Sequence, residues 1–140
     1  MKKALSIAAL LAVVSIAQAI ETNWEFLSPV RNAQYVYVTS YSGSQFATNF
    51  GEDRRAISAV QDAFKKWGYT IVYQPQWANM IVVVERRPSV DILDVYDRQS
   101  WHQRRFLWRA TAKGGLNVPD MPLMHQLQDA LSRIKGKPQG

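Results

Sequence analysis

The segment Tyr69–Arg86 contains the two most strand-like stretches of the chain, and its hydrophobic pattern locates the predicted core. Met80–Val84 is apolar at five consecutive positions, which is typical of a strand that is covered on both faces in the middle of a sheet. Tyr69–Gln74 is the second stretch. Pro75–Asn79 between them is too short for a crossover helix but fits a helical turn or a hairpin loop. We therefore expect both strands near the centre of one sheet.

Three further segments have the pattern of strands. Gln34–Thr39 alternates valine with tyrosine and threonine, as a half-buried strand does. Val90–Asp97 and Phe106–Lys113 are the other two, and the polar segment Arg98–Arg105 between them is predicted to be a hairpin loop. In the last strand the even-numbered residues are the more apolar set, so the odd-numbered face is expected to be wetter.

Two segments have helical periodicity. In the first, between Asn49 and Gly68, apolar residues recur at spacings of three and four and form one buried stripe: Ile57, Val60, Phe64 and Trp67. Gly68 is a suitable left-handed stop for this helix. A second apolar stripe follows Pro122 and ends before Gly136: Leu123, Leu127, Leu131 and Ile134, with Met124 and Ala130.

These elements predict an α+β fold, in a two-layer α/β arrangement. We expect a mixed five-stranded sheet, the element order β-α-β-β-β-β-α, and helices packed on one face. Because a helix connects the first two strands, that pair is expected to run parallel through a right-handed crossover, with the rest antiparallel. Four large side chains are expected to be largely buried: Trp67, Ile81, Val83 and Trp108.

The N-terminus has the pattern of a secretory signal peptide. Lys2 and Lys3 precede the uncharged stretch Ala4–Ala17, and Ala17–Ala19 has the small-residue pattern of a cleavage site. We therefore predict cleavage after Ala19 and a periplasmic or secreted mature protein without a membrane span. The predicted divisions of the chain are a signal peptide (1–19), an extended lead-in (20–33), a single α/β domain (34–136) and a disordered tail (137–140).

Composition excludes several kinds of chemistry. The chain has no cysteine, so thiol nucleophiles, disulfides and thiolate metal sites are excluded. Its formal charge of +6 falls to +4 when Lys2 and Lys3 leave with the signal, a mild excess. Asp91, Asp94 and Asp97 recur at every third position, but they would alternate faces in an extended strand. No metal site and no cofactor are predicted.

The segment Arg98–Arg105 contains the candidate functional residues. His102 lies near Asp97 and Ser100, which suggests a hydrolytic set, although such a set is defined by geometry and a surface histidine is the simpler interpretation. Trp101, Arg104 and Arg105 are the predicted binding residues, because an aromatic side chain beside arginines suits an anionic partner.

These binding residues belong to a wider group that could form a basic and aromatic patch: Arg86, Arg87, Arg98, Arg104, Arg105 and Arg109, with Trp101 and Trp108. The alternative is that the arginines are solvated strand ends that discourage edge-to-edge aggregation. An exposed sheet edge or the Ser40–Thr48 loop could also carry the binding surface.

Four segments together resemble a known class of protein: Ala63–Tyr69, Pro75–Val83, Leu93–Asp97 and Leu107–Ala110. They are similar to small secreted bacterial proteins of unknown function. More distantly, the chain resembles the small α/β domain at the N-terminus of TolB-type translocation proteins and in CsgG-like envelope proteins, with Asn79 where that pattern usually has Asp. The resemblance implies an accessory or binding role in the envelope and supplies no catalytic residue.

The sequence therefore predicts an exported, non-catalytic binding or accessory domain of the bacterial cell envelope. Its expected partner is an envelope protein or an anionic envelope component. Nucleic acid is not expected, because the chain is predicted to be exported. The alternative is a small periplasmic hydrolase that uses His102.

Overall fold

The computed structural model describes residues 20–41 and 50–136. Several predictions concern segments outside these ranges: the signal peptide (1–19), most of the Ser40–Thr48 loop, the helix start at Asn49 and the tail (137–140).

The described residues are built around one mixed sheet of six strands. In chain order these are β1 (Ile20–Glu21), β2 (Tyr35–Ser40), β3 (Thr70–Val72), β4 (Met80–Arg86), β5 (Asp91–Tyr96) and β6 (Trp108–Ala112). Across the sheet the order is β1-β6-β5-β4-β2-β3. The α+β class is confirmed, but the expected count of five strands is wrong because β1 pairs with β6 at the edge, with Ile20 opposite Thr111.

The central position of β4 is confirmed, and its first five residues are all buried. β2 runs parallel to both of its neighbours, β3 and β4, whereas β4, β5 and β6 pair antiparallel. The first two predicted strands are thus parallel as expected, but two expectations are corrected. The β2–β4 pair is also parallel, and β3 is a short edge strand that is separated from β4 by β2.

Within the described ranges, three α-helices accompany the sheet: α1 (Phe50–Lys66), α2 (Arg98–Gln103) and α3 (Pro122–Gly136). Two 3-10 helices, Trp24–Val30 and Pro75–Trp77, precede β2 and β4 respectively. Among the described residues, no helix is both long and apolar enough to cross a membrane.

Gly68 ends the first helix as predicted. Its φ of 95° lies in the left-handed region that glycine tolerates best. The Tyr69 N–H donates to the Phe64 carbonyl at 3.0 Å, and the two rings lie edge to face 5.2 Å apart. These contacts are those of a Schellman ending.

The main core lies between α1, α3 and one face of the sheet. It joins apolar residues of both long helices to the even-numbered residues of β2, β4 and β6 and the odd-numbered residues of β5. Ile81, Val83 and Trp108 are fully buried as predicted, although Trp67 is only half-buried. Ile81 and Val83 belong to a second, smaller cluster on the opposite face, together with Ala78 and Tyr96.

The helix α2 corrects two predictions. Arg98–Arg105 is not a hairpin loop, because Asp97 and Ser100 form a capping box that starts a helix there. This helix packs on the opposite face from α1 and α3, through Trp101 and the second cluster. The expectation that the helices share one face therefore holds for the two long helices only.

The N-terminal lead-in also differs from the extended segment that was predicted. The expected extended segment 20–33 contains β1 and the 3-10 helix Trp24–Val30, which buries Leu27 and Val30 in the main core. Arg31 fixes the end of this segment, since its Nε donates to the Ile134 carbonyl at 2.9 Å.

Candidate functional site

The sheet face opposite α1 and α3 carries a row of side chains that crosses four strands. The register places Thr39 opposite Val83, Val83 opposite Asp94, and Asp94 opposite Arg109. Because side chains alternate faces along a strand, these residues project from the same side of the sheet. Tyr41 directly follows β2 on this side and reaches across to β5.

Asp94 is the centre of this row, and it is fully buried. The guanidinium of Arg109 binds it in a bidentate manner, with Nε donating to Oδ1 at 2.7 Å and Nη2 donating to Oδ2 at 2.8 Å. The hydroxyl of Tyr41 contacts Oδ2 at 2.6 Å and also contacts the hydroxyl of Tyr96. Removing a carboxylate from water costs free energy, and each charge-assisted hydrogen bond offsets part of that cost. The bonds from Arg109 and Tyr41 therefore allow Asp94 to be buried.

The protonation states in this cluster follow from its contacts. Burial and the hydrogen bond to Asp94 raise the pKa of Tyr41 far above its usual value of 10.0. Burial likewise raises the pKa of Tyr96. The hydrogen bonds to Asp94 raise the pKa of Arg109. Tyr41 is therefore a neutral phenol that donates to the Asp94 carboxylate, and Arg109 stays charged.

A cleft of about 820 Å³ opens over this cluster. Four aromatic side chains of the described residues line it: Tyr41, Tyr96, Trp101 and Phe106. Trp101 packs edge to face on Tyr96 at a centroid distance of 5.1 Å. Tyr41 and Phe106 remain 43% and 38% exposed, so ring surface is available inside the cleft.

Charged side chains form the rest of the cleft wall. Arg87 pairs with Glu85 at 3.2 Å. The guanidinium of Arg109, besides its pair with Asp94, lies 4.3 Å from the centroid of the Phe106 ring, a cation–π contact. Arg104 also lines the cleft, and in the part of the chain that the structure describes it makes no ion pair.

Two of the three predicted binding residues lie at this cleft. Trp101 and Arg104 line it, whereas Arg105 is exposed and is not among the lining residues. The other arginines of the wider basic patch lie partly inside and partly outside this cleft. Arg87 and Arg109 join the cleft, but Arg98 donates to the Ala78 carbonyl at 2.9 Å.

Trp108 and Arg86 are also absent from this cleft. Trp108 is fully buried in the main core. Arg86 pairs with Asp91 at 3.3 Å and contacts Asn117. Of the two aromatic side chains that the sequence pattern grouped with the arginines, Trp108 is thus a core residue, and Trp101 lines the cleft.

His102 lies at the rim of the cleft and is exposed. The predicted partners of this histidine serve another purpose. The Asp97 carboxylate accepts from the Ser100 N–H at 2.8 Å, and the Ser100 hydroxyl accepts from the Asp97 N–H at 3.0 Å. Since Ser100 is buried within this cap, the arrangement does not form a nucleophile and base pair with His102.

The three evenly spaced aspartates also have separate roles. Asp91 accepts from the Leu116 N–H at 2.9 Å, Asp94 binds Arg109, and Asp97 caps α2. Among the described residues there is no group of three or more acidic or histidine side chains that could hold a metal ion.

Sequence reasoning did not single out Tyr41, Asp94 or Phe106 as site residues, although Tyr41 belongs to the Ser40–Thr48 segment that it named as an alternative binding surface. A signal was present for one of them, because Asp94 and Arg109 are charged residues in the middle of adjacent predicted strands. Opposite charges at such positions suggest a cross-strand pair. Tyr41 and Phe106 lie beside strand ends, and only the register brings them to one cleft.

Comparisons with known proteins add little to this geometry. No family model and no curated protein matches the chain. Among solved structures, a dodecameric variant of PelC from Paraburkholderia phytofirmans aligns with a TM-score of 0.46 and 14% identity, over 86% of this chain and 98% of that chain. A similarity at this level supports no inference about the function of the chain.

Proposed function

We propose that the chain is an exported, non-catalytic binding domain of the bacterial cell envelope, which captures an anionic group of another envelope component. The observation that carries this proposal is the cleft on the sheet face opposite the long helices, where aromatic rings and arginines converge. Aromatic and arginine side chains are the residue types that contribute most to binding energy at recognition surfaces.

The chemistry of the cleft favours binding over catalysis. A tyrosine with the usual pKa is already protonated at neutral pH, and burial raises the pKa of Tyr41 and of Tyr96 further, so neither supplies a phenolate nucleophile. The hydroxyl nearest to His102 in the sequence belongs to Ser100, which is held in the cap of α2. Tyr41, Tyr96 and Ser100 are each fixed by hydrogen bonds to neighbouring groups, which suits a site that recognises a ligand without transforming it.

The envelope location rests on the N-terminal sequence. The charged start, the uncharged stretch and the Ala17–Ala19 pattern direct the chain to export. The resemblance to TolB-type and CsgG-like envelope domains supports an accessory role in the same compartment. Export also removes nucleic acid as the natural ligand, so the arginines of the cleft serve another anionic group.

The test is capture from an envelope extract by the mature chain, residues 20–140. The variant Trp101→Ala with Arg104→Ala should capture at least about tenfold less of its partner, because a hydrogen bond to a charged group contributes about 1.5–3 kcal/mol. Capture should also weaken between 0.15 and 1 M salt, where the screening length falls from about 8 to about 3 Å.

Arg105→Ala is the matched control, since it removes the same charge from the adjacent residue, which does not line the cleft. It should leave capture unchanged. If capture is indifferent to the Trp101 and Arg104 changes and to salt, the binding surface lies elsewhere. A hydrolytic activity that His102→Ala abolishes without unfolding the protein would favour the hydrolase alternative.

A further inference from the structure

The charges of the cleft are almost fully balanced. Asp94 balances Arg109, and Glu85 balances Arg87. Arg104 has no ion-pair partner among the described residues, so the groups that line or underlie the cleft carry one net positive charge. Residues 42–49, which follow Tyr41, include no charged side chain in the sequence. An electrostatic match therefore needs a single negative charge on the bound group.

A single charge discriminates between classes of anion. A phosphate monoester carries about −1.5 to −2 at neutral pH, so one arginine would not balance its charge. A carboxylate carries one charge and matches the planar fork of an arginine guanidinium. Arg104 is exposed and can turn this fork into the cleft.

The aromatic rings indicate what carries the carboxylate. Tyr41, Trp101 and Phe106 present partly exposed rings around the cleft. The face of such a ring is electron-rich, and the C–H groups on the face of a pyranose carry partial positive charge, so sugar rings stack on it. The volume of about 820 Å³ lies within the range of small-molecule sites, about 300–1,000 Å³, and admits a short oligosaccharide segment.

The remaining polar groups of the cleft suit sugar hydroxyls. Arg109 uses Nε and Nη2 on Asp94, which leaves the N–H groups of Nη1 available. Glu85, half-buried at the wall, offers carboxylate oxygens as acceptors. A donor and an acceptor held in fixed places are what a site needs to orient a hydroxylated ring.

We infer that the cleft recognises a uronic acid unit of an acidic glycan, with the sugar carboxylate on Arg104 and the ring against Trp101. This inference rests on the proposed function and names the ligand class of the same site. An acidic peptide or an anionic lipid headgroup would supply the charge but less ring surface for the aromatic side chains.

The test uses matched soluble probes and isothermal titration with the mature chain. Two trisaccharides, each with a single galacturonic acid or glucuronic acid unit between neutral sugars, are compared with their methyl esters, which keep the rings and remove the one charge. At least one acid should bind, and its ester should bind at least about tenfold more weakly. A tripeptide with capped ends and one glutamate, and phosphatidylglycerol vesicles, represent the two other sources of a single anionic group.

Three variants assign the contact to its residue. Arg104→Gln should lower affinity for the acid by about the same factor as esterification and should leave ester binding unchanged, because both changes remove one interaction. Arg104→Lys should recover part of the affinity. Arg105→Gln, which removes a positive charge from the adjacent residue, should bind both probes like the wild type. Trp101→Ala should weaken the acid and the ester alike, since stacking does not depend on the carboxylate.

Several results would overturn the inference: equal affinity for acid and ester, equal losses in Arg104→Gln and Arg105→Gln, tighter binding of the glutamate tripeptide or the vesicles, or no binding of either acid. If capture from envelope extract still depends on Trp101 and Arg104 in those cases, the ligand class fails and the proposed binding function stands. If that dependence is also absent, both fail.

Discussion

At the scale of single residues, Asp94 is the side chain on which the cleft depends. It is buried, and its two oxygens are bound by the guanidinium of Arg109 and the hydroxyl of Tyr41. A buried carboxylate without such partners would be strongly unfavourable. The three side chains therefore fix each other, and the floor of the cleft is already ordered before any ligand arrives.

We expect Asp94→Ala to lower the free energy of unfolding by about 3 kcal/mol, because removing one partner of a buried pair leaves the other charge uncompensated. Arg109 is partly exposed, which places the effect at the lower end of the range for such pairs. Urea denaturation measures it. Asp129→Ala is the control, since Asp129 and Arg133 form an exposed pair at 3.0 Å, and it should cost no more than about 1 kcal/mol. Equal costs for the two variants would contradict the role given to Asp94.

At the scale of elements, the short helix α2 positions the predicted binding residues. Its capping box at Asp97 and Ser100 fixes the start. Arg104 ends it in the left-handed region with a φ of 57°, and its N–H bonds back to the carbonyls of Ser100 and Trp101. That conformation favours glycine or asparagine and costs about 1 kcal/mol or more for other residues. An arginine at this position is better explained by its side chain than by the turn.

Arg104→Asn should therefore separate stability from binding. Asparagine tolerates the left-handed conformation, so the melting temperature should stay the same or rise, by an amount equivalent to at most about 1 kcal/mol. Capture of the envelope partner should weaken, because the cleft loses a cation that has no ion-pair partner in residues 20–41 and 50–136. Arg105→Asn, one residue later, should change neither property by a comparable amount. A lower melting temperature with unchanged capture would show that Arg104 serves the turn instead.

The large elements could be predicted because their patterns are long. Five consecutive apolar residues in Met80–Val84 indicated the central strand, and spacings of three and four indicated the first long helix, with Gly68 at its end. In each segment several residues share the same burial, so the pattern remains recognisable even if one position deviates. The α+β class follows from these elements alone.

The short elements could not be predicted in this way. The six residues of α2 do not complete two turns, so no period is visible, and its polar composition resembles that of a loop. The signal that was available is Asp97 followed three residues later by Ser100, a helix-capping pattern. The two residues of β1 are too few to show the alternation of a strand.

Strand order was also beyond the reach of hydrophobic pattern. β3 and β4 are neighbours in sequence, yet β2 lies between them. The cleft depends on this register, because Tyr41 and Asp94 are 53 positions apart in the chain. The sequence indicated Trp101 and Arg104 as binding residues, but the network beneath them is a property of the assembled sheet.

At the scale of the whole molecule, the two faces of the sheet have different roles. One face is covered by α1 and α3 and supplies most of the buried apolar surface. The other carries the smaller cluster, α2 and the cleft. A stable core on one side thus leaves the second side available for a ligand, which matches the proposed binding function.

Both edges of the sheet are formed by short strands. β3 has three residues and β1 has two, and short edges offer few unpaired backbone groups to another chain. β1 shields β6, with Ile20 opposite Thr111 and Glu21 opposite Ala110, and the Thr22 N–H donates to the Arg109 carbonyl at 2.8 Å. Without β1, the longer strand β6 would become the edge.

We therefore expect a chain that starts at Asn23 to self-associate more than one that starts at Ile20. The truncation removes β1 but keeps Asn23, whose side chain accepts from the Glu25 N–H at 2.9 Å and caps the following 3-10 helix. The newly unpaired backbone groups of β6 form an edge to which another chain can add a strand. Light scattering at equal concentrations, below the unfolding temperature of both chains, measures the difference. The control is a chain that starts at position 20 and carries Ile20→Ala with Glu21→Ala. It keeps the backbone pairing of β1 and should scatter like the unsubstituted chain. If the truncated chain scatters no more than this control, β1 does not protect the edge of the sheet.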